Sequence, residues 1–165
     1  MSAQRLLVGF DGSEPSRAAL AWAAGVAQRE HGSLTVVLVL NQAWWCSTGA
    51  AGFSLAPAAC EIERASIEVL HKAIAELDHD VSVVSLVAHG TIATALARAA
   101  ERYCCTAIVI GRGQGFWSRL TGGVARWLRR RTSLPVIAVP AEGSATRAEA
   151  AAGRRRATRP HPVTP

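Results

Sequence analysis

Residues 6–23, LLVGFDGSEPSRAALAWA, join a short apolar run to an alanine-rich run through a turn of small residues. The apolar run shows no alternation of apolar and polar residues, which is typical of a parallel strand buried on both faces. Ser13 has the side chain of a helix N-cap, and Glu14 and Pro15 follow it, where an acid and a proline are both favoured. This stretch therefore predicts a strand, a tight turn and a helix over about 14–30, with Trp22 in its apolar stripe.

The same succession of strand and helix continues along the chain. Further strands are predicted at 34–40, 80–88, 106–110 and 134–140. Further helices are predicted at 61–77, at 89–103 (beginning just after Gly90, with Thr91 as its cap) and at 122–133. A helix between each pair of strands favours the α/β class, with an open, doubly wound parallel sheet of five strands and helices on both faces.

Residues 41–60 have no clear period and are predicted to form a long loop. Loops of this length often carry function. Trp44 and Trp45 in it either cover a ligand or a partner, or pack beneath the loop itself. The sequence leaves both interpretations open.

The net charge of +6 is concentrated in the last third of the chain. Residues 111–140 hold six arginines and no acidic residue, and residues 141–165 hold five arginines and two glutamates. This distribution suits an anionic ligand bound at one place. Residues 141–165 have almost no large apolar side chain and are predicted to be a disordered tail after a domain of residues 1–140. Its arginines favour at most a nonspecific, salt-sensitive contact with nucleic acid.

The sequence offers few of the features that would indicate a membrane, a metal or catalysis. Its apolar runs are far shorter than the roughly 18 residues of a membrane span, so we expect a cytoplasmic protein that does not contact a membrane. The four cysteines are interpreted as small, buried apolar residues with reduced thiols, with a Cys46–Cys60 bridge as the alternative. No histidine pair has metal-ligand spacing and no carboxylate pair suggests acid–base chemistry, so we predict no metal ligand and no catalytic residue.

The most unusual stretch, GRGQGFWSRLTGGVARWLRRR at 111–131, follows the fourth predicted strand. It does not match the phosphate loop G-x-x-x-x-G-K-[ST], and the dinucleotide pattern G-x-G-x-x-G does not follow the first strand. Ligands of open parallel sheets bind beyond the carboxyl ends of the strands, where the strand order reverses. The rule points to residues 9–13 after the first strand and to the glycine-rich loop from Gly111.

Two segments together resemble the universal stress protein family. LLVGFDGSEPSRAALAWA is similar to that family's opening, a strand ending in V-G-x-D-G-S before an alanine-rich helix. AIVIGRGQGFWSRLTGGVARWLRRRTSLPVIAVP is similar to its ending, in which a strand, a glycine-rich loop, a helix and a P-V-x-x-V strand follow in order. The resemblance implies a sheet of strand order 3-2-1-4-5, a homodimer paired through the strand at 135–139, and ATP binding in one branch of the family.

The resemblance also implies the site. Asp11 matches the aspartate on the adenine side, Val39 the residue packing on adenine, and Gly122 the glycine before the last helix, whose amides face the phosphates. With the neighbouring glycines and arginines, the candidate nucleotide-binding residues are Gly9, Phe10, Asp11, Val39, Ile110, Gly111, Arg112, Gly113, Gly115, Arg119, Gly122, Gly123 and Val124.

The glycine loop departs from the family pattern. Gln114 stands where a second glycine is expected, the spacing from Gly111 to Gly122 is two residues shorter, and Gly123 replaces a hydroxyl residue. Two functions therefore remain: a regulatory module that binds ATP (with magnesium) or another adenine nucleotide, and a ligand-free dimeric adaptor acting through protein partners. Neither is a turnover enzyme, although slow ATP hydrolysis is left open.

Overall fold

The computed structural model describes residues 4–40, 56–77, 80–112 and 116–141, without the side chains of 56–59 and 116–122. Nine elements follow one another in these ranges. They are β1 (Arg5–Phe10), α1 (Glu14–Arg29), β2 (Ser33–Leu40), α2 (Ala56–Ala75), β3 (Ser82–His89), α3 (Ile92–Arg102), β4 (Ala107–Arg112), α4 (Phe116–Arg131) and β5 (Val136–Pro140).

The five strands form one sheet of order β3-β2-β1-β4-β5, and all pairs are parallel. The predicted fold class and strand order are thereby confirmed. Successive side chains of a strand point to opposite faces, so each strand contributes to two cores. One core lies under α1 and α2 and includes Leu6, Val8 and Phe10 of β1. The other lies under α3 and α4 and includes Leu7, Ile108 and Ile110.

Two helices begin earlier than the sequence predicted. α2 begins at Ala56, so residues 56–60 of the predicted loop are helical, and residues 41–55, with both tryptophans, lie outside the described ranges. α4 begins at Phe116 and not at Gly122. The glycine pair was interpreted as a helix start, but glycine in a helix interior costs only about 1 kcal/mol relative to alanine.

Exposure corrects two further expectations. Trp22 is 41% exposed, and so it lies beside the buried stripe of α1 and not in it. Cys60 and Cys104 are exposed, whereas Cys105 is buried as expected. Cys46 lies outside the described residues, as do 142–165 of the predicted tail.

Within the described part of the chain, no helix has both the length and the apolar character needed to cross a membrane.

The end of β4 packs directly on the first turn of α1. A Cβ at Gly111 would overlap the carbonyl oxygen of Pro15 and lie 2.6 Å from the amide nitrogen of Ser16. Both groups are backbone atoms, which cannot rotate away as a side chain can. Position 111 therefore requires glycine for packing, whatever else it does.

We expect Gly111→Ala to lower the free energy of unfolding by about 2 kcal/mol, because the added methyl group forces β4 and α1 apart. Gly123→Ala is the matched control, since a Cβ at Gly123 in α4 meets no atom within 4 Å. The control is expected to raise stability by about 0.5–1 kcal/mol by reducing the entropy lost on helix formation. Urea unfolding of both variants measures this, and equal effects would contradict the packing argument.

The adjacent residues Cys104 and Cys105 should differ in thiol reactivity, because Cys104 is exposed and Cys105 is buried. Desolvation raises the pKa of the Cys105 thiol, and a hydrogen bond with Thr35 offsets part of that effect. The thiolate is the nucleophile, so we expect iodoacetamide at pH 8 to modify Cys60 and Cys104 well before Cys105. Peptide mapping by mass spectrometry checks the order, and equal modification rates in the folded protein would contradict it.

Candidate nucleotide site at the sheet switch point

The strand order reverses between β1 and β4, which are neighbours in the middle of the sheet. Gly9 of β1 is paired with Ile110 of β4, so Asp11, which follows β1, and Arg112, the last residue of β4, lie at two adjacent strand ends. The helix after β1 covers one face of the sheet, and the helix after β4 covers the other. The two chain segments therefore separate at this point and leave the crevice in which ligands of such sheets bind.

A hydrogen-bonded turn joins β1 to α1. Oδ1 of Asp11 accepts hydrogen bonds from the Ser13 amide at 2.9 Å and from the Ser13 hydroxyl at 2.5 Å. Gly12 between them has φ +80°, a left-handed conformation that glycine adopts without strain. The turn holds the exposed carboxylate of Asp11 in one orientation at the mouth of the crevice.

The same turn begins α1. Ser13 is the N-cap, as predicted, and its Oγ accepts a hydrogen bond from the Ser16 amide at 3.4 Å. The buried Ser16 hydroxyl donates to the Ser13 carbonyl at 2.8 Å and accepts from the Asp11 amide at 3.4 Å. Sequence reasoning missed Ser16, because its hydroxyl makes neither bond of a capping box, in which a Glu or Gln three residues after the N-cap accepts from the N-cap amide.

The candidate residues of the strands divide between the two faces. Val39 and Ile110 lie on the α3–α4 face, and Gly9 is directed there too, since a Cβ on it would lie 3.2 Å from Leu96 of α3. Phe10 lies on the opposite face and is 3% exposed in the core under α1 and α2. We therefore correct the interpretation of Phe10: its side chain packs in the core, and only its backbone borders the crevice.

The predicted phosphate-binding glycines are not where the sequence suggested. Gly122 and Gly123 lie in the middle of α4, where amides bond within the helix and do not face a ligand. Val124 follows them, half-buried against the core under α3 and α4. The free amides of this helix belong to its first turn, which begins at Phe116.

The remaining candidates lie around that first turn. Arg112 ends β4 and is exposed. Gly113 and Gly115 lie outside the described residues. Arg119 is in the first turn of α4, but its side chain is not described. Only three residues separate β4 from α4, so the start of the helix follows closely on the end of the strand.

The described residues include no preformed metal centre. No group of three or more His, Cys, Asp or Glu side chains is close enough there to hold an ion. Every buried side-chain nitrogen and oxygen of the described residues has a hydrogen-bond partner. The arrangement offers a fixed carboxylate at Asp11, an apolar side chain at Val39 and the N-terminus of α4.

A sequence model of the universal stress protein family matches residues 2–140. The chain belongs to the universal stress protein family. The match covers the whole strand–helix succession from β1 to β5, and so the resemblance seen at the two ends of the sequence is confirmed. A search of curated protein sequences finds no significant match to the chain.

Solved structures of universal stress proteins share the fold. One from Burkholderia pseudomallei is 26% identical, with a TM-score of 0.68 over 84% of this chain and 96% of its own. A universal stress protein in complex with cAMP is 22% identical, with a TM-score of 0.60 over 86% of this chain and 100% of its own. One from Archaeoglobus fulgidus, in complex with dAMP, is 19% identical, with a TM-score of 0.53 over 84% and 99%.

We expect Ser13→Ala to lower the free energy of unfolding of this universal stress protein by about 0.5–2 kcal/mol, because it removes an N-cap acceptor and a donor to Asp11. Thr91→Ala is the matched control, since Thr91 caps α3 without a side-chain cap hydrogen bond. Thr91→Ala should lower the free energy of unfolding by clearly less than Ser13→Ala does. Thermal unfolding followed by circular dichroism compares the two, and a larger loss for Thr91→Ala would contradict the assignment.

Proposed function

We propose that this universal stress protein binds an adenine nucleotide in the crevice between β1 and β4 and acts as a regulatory module in a stress response. The observation that carries the proposal is the orientation of the Asp11 carboxylate at the sheet switch point, fixed by two hydrogen bonds to Ser13. A fixed acceptor at a crevice mouth suits an exocyclic amino group such as that of adenine. Val39, which is partly exposed on the same side of the sheet, supplies an apolar contact, and the buried Ile110 packs in the core beneath the site.

The phosphates are assigned to the other side of the crevice. The first turn of α4 has free amides and the positive end of a 16-residue helix, which together attract anions. Arg112, exposed at the end of β4, adds a charge that can pair with phosphate oxygens. In this proposal, binding by the amides of Gly122 and Gly123 is replaced by binding at the start of the helix.

The ligand class is supported by the structural relatives that hold cAMP and dAMP, which have adenine and a phosphate group in common. ATP with magnesium belongs to the same class and is the ligand we test first. Because the described residues form no metal cluster, the phosphates would supply most of the contacts to magnesium. The proposal includes no hydrolytic step, because it assigns the Asp11 carboxylate to the adenine amino group and not to the phosphates.

Calorimetric titration of the purified chain with ATP and magnesium, and separately with cAMP and AMP, tests the proposal. Any nucleotide that copurifies is first released by denaturation and identified. Asp11→Asn keeps the acceptor for Ser13 but presents an amide to the ligand, so we expect binding at least about fivefold weaker. Glu14→Gln removes the same charge from the first turn of α1 and is expected to change the affinity by less than about twofold.

The outcomes separate the possible roles of Asp11. An equal loss of nucleotide affinity in Asp11→Asn and Glu14→Gln would show a general effect of charge and would remove Asp11 from the site. An unchanged affinity in Asp11→Asn would also remove Asp11 from the site. No heat with any of the three nucleotides at millimolar concentration would overturn the proposed function. Phosphate release, followed in the same samples, measures slow hydrolysis directly.

The ligand-free adaptor is the second candidate, and one observation favours it. With α4 starting at Phe116, the glycine pair is part of a helix, which does not require a ligand to explain it. β5 has no partner strand on its outer side among the described residues, and it offers the edge through which a homodimer is predicted to form. Sedimentation with and without ATP, followed at the absorbance of the nucleotide, distinguishes the two, because the adaptor should be a dimer in both conditions and ATP should not sediment with it.

A further inference from the structure

We propose that the outer edge of β3 binds an extended peptide segment in which acidic side chains alternate with apolar ones. In this complex the peptide adds a sixth strand to the sheet, and two of its carboxylates contact Arg98 and Arg102 of α3. The surface lies at the β3 side of the sheet, two strands away from the β1–β4 crevice. It is therefore independent of the nucleotide proposal.

β3 has the properties of a strand that pairs with another chain. It lies at the edge of the sheet, is eight residues long, and its sequence SVVSLVAH contains no proline, lysine, arginine or acidic residue that would block pairing. Val84 is 43% exposed and Val87 is 38% exposed. An exposed, apolar edge of this length with free backbone donors and acceptors is a surface for strand addition.

A groove of about 640 Å³ runs beside this edge, between β3 and α3. It exists because α3 packs mainly over β1, β2 and β4 and covers the adjoining face of β3 only in part. The floor is formed by Leu86 and Ala88 of β3, and the wall by one face of α3, including Thr94, Arg98 and Arg102.

The wall of the groove is positively charged. Arg98 and Arg102 are both exposed, and none of the residues that line the groove is acidic. Glu63 of α2 lies 4.0 Å from His89, at the carboxyl end of β3. Arg102 is at the last turn of α3, which runs back toward the start of β3, so the two arginines lie on the wall away from that carboxylate. Charge complementarity therefore selects a carboxylate-bearing partner.

The spacing of Arg98 and Arg102 matches the spacing of alternate side chains in a β-strand. Arg98 and Arg102 are four residues apart on a helix, which is about 6 Å along its axis. Alternate side chains of a β-strand point to the same face and repeat at about 6.6 Å. An acidic–x–acidic sequence in a strand paired with β3 therefore places one carboxylate opposite each arginine, whether the strand runs parallel or antiparallel.

The residue between the two acids faces the other side of the sheet. There it lies beside Val87, which shares its face with Val83 because side chains alternate along β3. A valine or isoleucine at this position would bury part of the exposed surface of Val87 by a cross-strand contact. The motif that the surface fits is thus acidic–apolar–acidic in an extended chain.

Fluorescence anisotropy with the full chain tests this proposal. The probe is a fluorescein-labelled peptide of seven residues in which glutamate and valine alternate. We expect saturable binding that weakens about fivefold or more in the double variant Arg98→Gln, Arg102→Gln, because both ion pairs are lost. Both side chains are exposed, so the variant is expected to fold normally.

Three controls make the result specific to β3. Arg126→Gln with Arg130→Gln removes the same charge at the same spacing from exposed positions of α4 and should leave the affinity unchanged. A probe with glutamine in place of glutamate should bind weakly. A probe with all its backbone nitrogens methylated should not bind, because it cannot donate hydrogen bonds to the strand edge.

Each contrary result overturns the proposal. No binding at millimolar probe excludes the peptide. An equal loss of peptide affinity in the two double variants means that only the overall charge of the protein attracts the peptide. Binding of the methylated probe means that the groove holds carboxylates without strand pairing. If the free chain is instead a dimer that Val84→Lys dissociates, the occupant of the edge is a second copy of this protein.

Discussion

The pairing of β1 with β4 in the middle of the sheet is the contact on which the rest of the structure depends. The strand order reverses at this pair, so the helices that follow the two strands pack on opposite faces. Both cores are assembled around these two strands, whose interior residues are almost completely buried. The crevice at their carboxyl ends is a consequence of this topology and needs no dedicated loop to create it.

The sequence was a good guide to the sheet. Continuous apolar runs such as RLLVGF are readable because a strand buried on both faces has no polar alternation. Helix starts were harder. The glycine pair at 122–123 was interpreted as a boundary, but the apolar spacing of Leu120, Val124 and Leu128 continues through it, and that periodicity was the better guide.

The candidate site was predictable only in part. The resemblance placed Asp11, Val39 and Ile110 near one another, and the register of the strands agrees with this. Successive side chains of a strand point to opposite faces of the sheet, so the face that Phe10 occupies could have been deduced from its position in β1. The bonds of Ser16 depend on distances between short side chains and backbone atoms in a turn, and no pattern in the sequence specifies these.

The packing of Gly111 against Pro15 changes what a glycine at this position means as a marker. Because the backbone of α1 excludes any side chain there, the residue must be retained in a protein of this geometry whether or not phosphate is bound. A sequence signature that begins with this glycine therefore reports the packing of α1 against the sheet. Assigning nucleotide binding across such sequences has to depend on positions that packing leaves free to vary, such as the turn at Asp11 and the charge at Arg112.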